Sequence, residues 1–146
     1  MIHKKKPKNF KSKFDCIGCV VEEAGEILLL HRQNHKPQGN TWGIPSGKVD
    51  ENEKLEETLV REVFEETGIN ILAENSKYHG ELYVRFDDYD FVYHLYHIGI
   101  GSRPKVKTNP KEHKSYKWIS PNKTLDLDLI EDLDGCLEII YNISKA

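Results

Sequence analysis

Four glutamates and an arginine stand at fixed spacing between Gly47 and Ile69, in the run GKVDENEKLEETLVREVFEETGI. Glu53 precedes Arg61 by eight residues, and Glu62, Glu65 and Glu66 follow at positions i, i+3 and i+4. On a helix those three carboxylates share one face within a single turn. Like charges so close repel by roughly 0.2–0.5 kcal/mol per pair. Near a helix C-terminus each carboxylate also faces the negative pole of the macrodipole, which costs about 0.3–1 kcal/mol more. The cluster therefore calls for a cation, and carboxylate oxygens suit a hard divalent ion such as Mg²⁺.

The element that must position these groups is a helix. Asp50 or Asn52 can cap its start, Asp50 with Glu53 has capping-box spacing, and Gly68 stands where a left-handed residue would end it. Leu55, Leu59 and Val63 recur every four residues and mark its inward stripe. With Leu55 set to zero and roughly 100° per residue, Glu62 falls near −20° and Glu66 near 20°, inside the apolar arc. A solvated surface helix with i, i+4 pairs accounts for Arg61 beside Glu57 or Glu65. It does not account for acids on the inward arc, where an uncompensated carboxylate must be protonated, paired or metal-bound.

Position for position, Gly47–Ile69 reads G-x5-E-x7-R-E-U-x-E-E-x-G-U, with U a bulky aliphatic residue. On these nine specified positions the chain resembles the Nudix hydrolases. Trp42-Gly43-Ile44-Pro45-Ser46-Gly47-Lys48 resembles the family's W-x-x-P-G-G-K lead-in, with Ser46 in place of a glycine. The resemblance implies an α/β/α sandwich around a central mixed β-sheet. It implies Mg²⁺- or Mn²⁺-dependent hydrolysis of the diphosphate linkage in a nucleoside diphosphate joined to another group, by water attack on phosphorus. Under it, Glu65 and Glu66 are metal ligands and Glu62 is a further ligand or the general base. Arg61 is a structural arginine that orients a glutamate, with Glu53 as its partner, and Gly47 lets the backbone approach the metal and phosphates. The backbone carbonyl of Ser46 is a further metal donor. Glu112, six residues before Trp118, is one more ligand or base, against the plainer reading of a surface acid. Arg32 resembles a phosphate-holding arginine, against a solvated strand end, and Lys48 could assist it.

The substrate is less sharply drawn. No proline stands near 84–86, where adenosine diphosphate ribose hydrolases carry one, and the upstream coenzyme A-type motif is missing. Tyr83 and Tyr89 lie near the tyrosine favoured by dinucleoside polyphosphate enzymes without matching it. The segment Glu112–Trp118 is similar to one in nucleoside triphosphate and NDP-sugar members. The expectation is a MutT-like (deoxy)nucleoside triphosphate pyrophosphohydrolase. An NDP-sugar or dinucleoside polyphosphate hydrolase, an enzyme acting on RNA 5′ ends, and a non-catalytic nucleotide sensor are the alternatives. A sensor would be expected to have lost a metal-binding glutamate, and all are present here.

The remainder of the chain sets the frame. Its 146 residues, 38% hydrophobic and 31% charged, make one ordinary globular domain. No apolar run approaches the ~18 residues of a membrane span, and no signal segment follows the basic start, so the expected compartment is the cytoplasm. Three cysteines do not make a disulfide framework, and Cys16-x2-Cys19 lacks a second pair, so buried thiols are expected. The seven histidines show no ligand spacing, and His94 and His97 read as structural. Residues 1–13 hold six lysines and no acids, against 15 basic and 24 acidic residues elsewhere. They read as a disordered arm before a domain at 14–146, or as an arm touching RNA phosphates or an acidic partner. Strands are expected at 14–21, 26–31, 77–86, 91–98 and 116–119, with an acidic turn at 87–90 and a closing helix over 129–144. Many family members are homodimers, but no apolar stripe in this sequence names an interface.

Overall fold

Alternating side chains along one central strand divide the molecule into two cores. In a computed structural model, which describes residues 2–86 and 88–144, this strand is β2 (Ser12–Glu23), following a short β1 (Ile2–His3). Ile17, Cys19 and Val21 of β2 face one core, and Val20 faces the other. The next strand, β3 (Glu26–Arg32), returns through Ala24 (φ 49°) and Gly25 (φ 80°). Two consecutive left-handed residues are what a tight hairpin requires, as the Ala-Gly pair suggests.

Short strands β4 (Trp42–Gly43) and β5 (Ser46–Lys48) lead into the helix α1 (Leu55–Thr67). The long hairpin β6 (Ser76–Arg85) and β7 (Asp90–Gly99) follows, then β8 (His113–Ile119), a single turn α2 (Pro121–Thr124) and α3 (Leu133–Tyr141). Asp87 of the expected acidic turn lies outside the described residues. The sheet runs β1-β6-β7-β2-β3-β4, with β5 on β2 and β8 on β3. β2 and β7 pair in parallel and the other pairs are antiparallel, so the sheet is mixed. Leu59 and Val63 of α1 close the core on one face, and Leu133 and Leu137 of α3 close the other. The architecture is the α/β/α sandwich. Among the described residues no helix is long and apolar enough to cross a membrane.

Three local expectations change. The basic segment 1–13, read as a disordered arm, lies on the domain over its described residues. Ile2 pairs with Val84 and His3 with Tyr83, while Phe10 is buried edge-on against the Tyr83 ring. Arg85 donates to the Lys8 carbonyl, and the Lys11 amide donates to Asp90. The apolar residues anchor the segment, and its lysines stay exposed. Second, α1 begins at Leu55 with Lys54 as the residue before it. Asp50 and Glu53 instead close a separate turn through left-handed Asn52 (φ 65°), and Glu57 accepts the Lys54 N–H at 3.0 Å. Third, the closing helix starts at Leu133, not at 129. Leu129 bridges to Trp42, the Ile130 N–H donates to the Trp42 carbonyl, and Asp132 is left-handed at φ 71°.

Candidate active site

The inward turn of α1 delivers its acids to the gap beside β5. Glu62 and Glu66 side chains are 12% and 14% exposed, while Glu65 remains 53% exposed. The helix ends at left-handed Gly68, whose N–H returns to the Phe64 carbonyl at 2.8 Å.

Arg61 gathers most of the acids. Its Nε and Nη2 donate to the two oxygens of Glu53 at 2.8 and 2.9 Å, a bidentate fork. Its Nη1 donates to Glu62 at 2.7 Å and to Glu65 at 3.3 Å, and Nη2 also donates to the Lys48 carbonyl. Glu53 additionally accepts the buried Thr58 hydroxyl at 2.6 Å. The Arg61 and Thr58 hydrogen bonds hold the Glu53 carboxyl down to a pKa of about 2. The same contacts, Glu53 foremost, raise the Arg61 guanidinium further. Burial pushes Glu62 upward, opposed by Arg61.

Glu66 stands apart from this network. Its Oε1 accepts the Ser46 N–H at 2.8 Å, and its Oε2 faces His113 Nδ1 at 3.8 Å. Burial raises its pKa to about 8, with Glu62 and Glu112 adding to the rise. This carboxylate has the inward oxygens of a cation ligand and no cationic side chain bonded to it. Among the described residues no three acids, imidazoles or thiols converge as a ready-made cage, because Arg61 draws Glu62 and Glu65 to itself. The donor set nonetheless fits a hard divalent ion: carboxylate oxygens, two of them mostly buried, around a site short of positive charge.

Gly47 makes room for this arrangement. A Cβ there would lie 2.0 Å from the Glu62 carboxyl carbon. Ser46 is braced from the sheet side, its hydroxyl 3.0 Å from the Tyr93 hydroxyl. Tyr93 in turn crosses Gly18, where a Cβ would fall 1.6 Å from the tyrosine oxygen.

A cavity of about 260 Å³ opens onto these groups. Its polar lining includes Arg32, Ser46, Lys48, Glu66 and His113, and its apolar lining includes Val84, Phe86, Phe91, Tyr93 and Leu133. Lys48 Nζ sits 4.3 Å from the centre of the Phe14 ring, and Arg32 Nε donates to the Pro37 carbonyl. The structure thus brings Gly47 and Glu66 together with Arg32, Ser46 and Lys48 around the cavity, while Glu62 lies against Gly47 and, like Glu65, on Arg61. Glu112 is held differently: it pairs with Lys36 at 3.0 Å and does not line the cavity. The residue missed from sequence is the next one, His113, buried to 4% exposure with its Nδ1 pointing at Glu66. The three cysteines are free, Cys19 and Cys136 buried as expected and Cys16 only half-buried, and His94 and His97 bond to Asp15 and Glu22.

Residues 13–137 match the profile of the NUDIX domain. A Mycobacterium tuberculosis protein provisionally named 8-oxo-dGTP diphosphatase 3 is 32% identical over 107 residues, covering 70% of this chain and 48% of that protein. The CTP pyrophosphohydrolase of Escherichia coli is 28% identical over 117 residues, covering 79% of this chain and 82% of the relative. The crystal structure of the MutT protein from Methanosarcina mazei superposes with a TM-score of 0.77 at 26% identity, over 92% of this chain and 98% of that one. The chain therefore spans about half the length of the M. tuberculosis relative and most of the other two. With the fold, the signature residues and these relatives in agreement, the chain belongs to the Nudix hydrolase family.

Proposed function

We propose that this protein hydrolyses a nucleoside triphosphate between the α and β phosphates, releasing the monophosphate and pyrophosphate. The observation that carries the reading is the juxtaposition of an aromatic-lined cavity with Glu66, Gly47 and Arg32. Phe86 and Phe91 offer rings to a planar base, and Glu66 and Arg32 line the same cavity for its phosphates. Two of the relatives are named for hydrolysis of nucleoside triphosphates, which supports the choice among diphosphate compounds.

Glu65 and Glu66 would hold Mg²⁺, or Mn²⁺, with the Ser46 carbonyl as a further donor. When bound, the ion spreads the phosphate charge and acidifies water. Arg32 and Lys48 offer positive charge to the phosphates. We take Glu62 as the base: neither it nor Glu112 lines the cavity, but Glu62 lies against Gly47, which does, whereas Glu112 pairs with Lys36. Glu62 takes the proton from the attacking water as the new P–O bond forms, and pyrophosphate leaves with the electrons of the bond that breaks. Arg61 and Glu53 act through Glu62, fixing its carboxylate.

A panel of nucleoside triphosphates, oxidised nucleotides, NDP-sugars, dinucleoside polyphosphates and 5′-triphosphorylated RNA tests the substrate. Orthophosphate should appear from triphosphates only when pyrophosphatase is added. Release without it, or turnover confined to another class, would overturn the assignment. Gly47→Ala provides a second check. Its methyl must displace the Glu62 carboxylate, and misplacement by about 1 Å can cost about 10²-fold in rate. We expect kcat to fall by about that factor with little change in KM; a parent-like kcat would show that Glu62 acts elsewhere.

A further inference from the structure

We propose that His113 is a positioning residue for Glu66, its Nδ1–H holding the carboxylate oxygen that the Ser46 amide does not reach. The proposal rests on the reading of Glu66 as a metal ligand.

The register between β3 and β8 breaks beside His113. His31 pairs with Ser115 but Arg32 pairs with His113, so β8 carries one extra residue, Lys114, between these pairs. A bulge of this kind re-aims the side chain beside it. Here it coincides with an imidazole that is 4% exposed and lines the cavity. Its Nδ1 is buried and has no hydrogen-bond partner, whereas buried polar atoms in folded proteins are nearly all paired. The polar group before it is Glu66 Oε2, 3.8 Å away. That separation is about 1 Å beyond a hydrogen bond, so a modest side-chain adjustment closes it. Oε1 is already taken by the Ser46 N–H at 2.8 Å, which leaves Oε2 to receive the imidazole. A neutral histidine serves as the donor when its hydrogen is on Nδ1. Held from both sides, Glu66 would present its remaining lone pairs in one orientation. Partners that orient a ligating carboxylate in this way are typically worth about 10–100-fold in metal affinity.

Two variants and one spectrum test the assignment. His113→Leu keeps the bulk and removes the donor, and His113→Asn returns an amide N–H near the Nδ1 position. Mn²⁺ binding to the full chain, followed by electron paramagnetic resonance without substrate, should weaken about 10–100-fold in His113→Leu. His113→Asn should recover most of that loss, with melting temperatures of the metal-free proteins alike. Parent-like Mn²⁺ affinity in His113→Leu, or equal loss in both variants, would overturn the proposal. Independently of any variant, the ¹⁵N spectrum of the parent with Mg²⁺ should show Nδ1 bearing the hydrogen; an unprotonated Nδ1 would overturn it too. A parent chain that binds no Mn²⁺ would remove the metal role of Glu66 itself, and this proposal with it.

Discussion

Glu66→Gln should lower turnover by about 10³-fold or more while stabilising the metal-free protein at alkaline pH. The first effect follows from removing a negative ligand oxygen at nearly constant shape: a metal's charge stabilisation is worth several kcal/mol, and each 1.36 kcal/mol is about tenfold in rate. The second follows from burial, which raises the Glu66 pKa from 4.5 to about 8. Between those values the folded protein keeps a proton that the unfolded chain has released, so stability falls as pH rises, by roughly 1.4 kcal/mol per unit at most. Below 4.5 the group is neutral in both states and the contribution vanishes. Glutamine carries no charge at any of these pH values. The melting temperatures of parent and variant should therefore agree near pH 4 and diverge toward pH 8, the variant being higher. Mg²⁺ should raise the parent and leave the variant unmoved, since binding favours the ionised carboxylate. Curves that stay parallel across pH would contradict the electrostatic account of Glu66.

Arg61→Lys should damage stability and rate together. The planar fork serves Glu53, Glu62, Glu65 and the Lys48 carbonyl at once, and a lysine ammonium has three donors and no fork. Glu53 and Glu62 are 14% and 12% exposed, so neither can turn freely to water. Hydrogen bonds to charged groups contribute about 1.5–3 kcal/mol each. With Arg61 itself 28% exposed, a net loss of about 1–3 kcal/mol is the discounted expectation. In a domain of this size that is a fall in Tm of roughly 3–10 °C. The kcat should drop at least tenfold, because Glu62 loses its tether. The depressed pKa of Glu53, about 2 against 4.5, sets the pH dependence. Its stabilisation is complete above about 4.5 and is lost as pH falls through about 2, so the gap between parent and variant should narrow over that window. A variant with parent-like melting and turnover would show that Arg61 is only a surface ion pair.

Much of this site is legible in the chain because it is built within one helix and the turn before it. The wheel that puts Glu62 and Glu66 on the inward arc uses only residue spacing, and their low exposure matches it. Gly68 ends the helix by its own backbone freedom, and Ala24-Gly25 turns its hairpin in the same local way. Other features depend on distant partners. His113 points at Glu66 because of a bulge against β3, some eighty residues earlier in the chain, and a lone histidine beside a glutamate gives no local sign of that. Leu129 and Ile130 continue an apolar pattern that suits a helix, yet Trp42 draws both away from one, by a β-bridge to Leu129 and a hydrogen bond from the Ile130 N–H. The lysines of the first segment suggest a solvated tail. Ile2 and Phe10 decide otherwise, because the edge of β6 and the Tyr83 ring are there to receive them.

The most direct test of the central claim is ³¹P NMR of a nucleoside triphosphate incubated with the protein and Mg²⁺. The account requires monophosphate and pyrophosphate to appear together in equal amounts, and to stop on addition of a chelator. Diphosphate with orthophosphate, or an unchanged spectrum with every divalent ion tried, would contradict it.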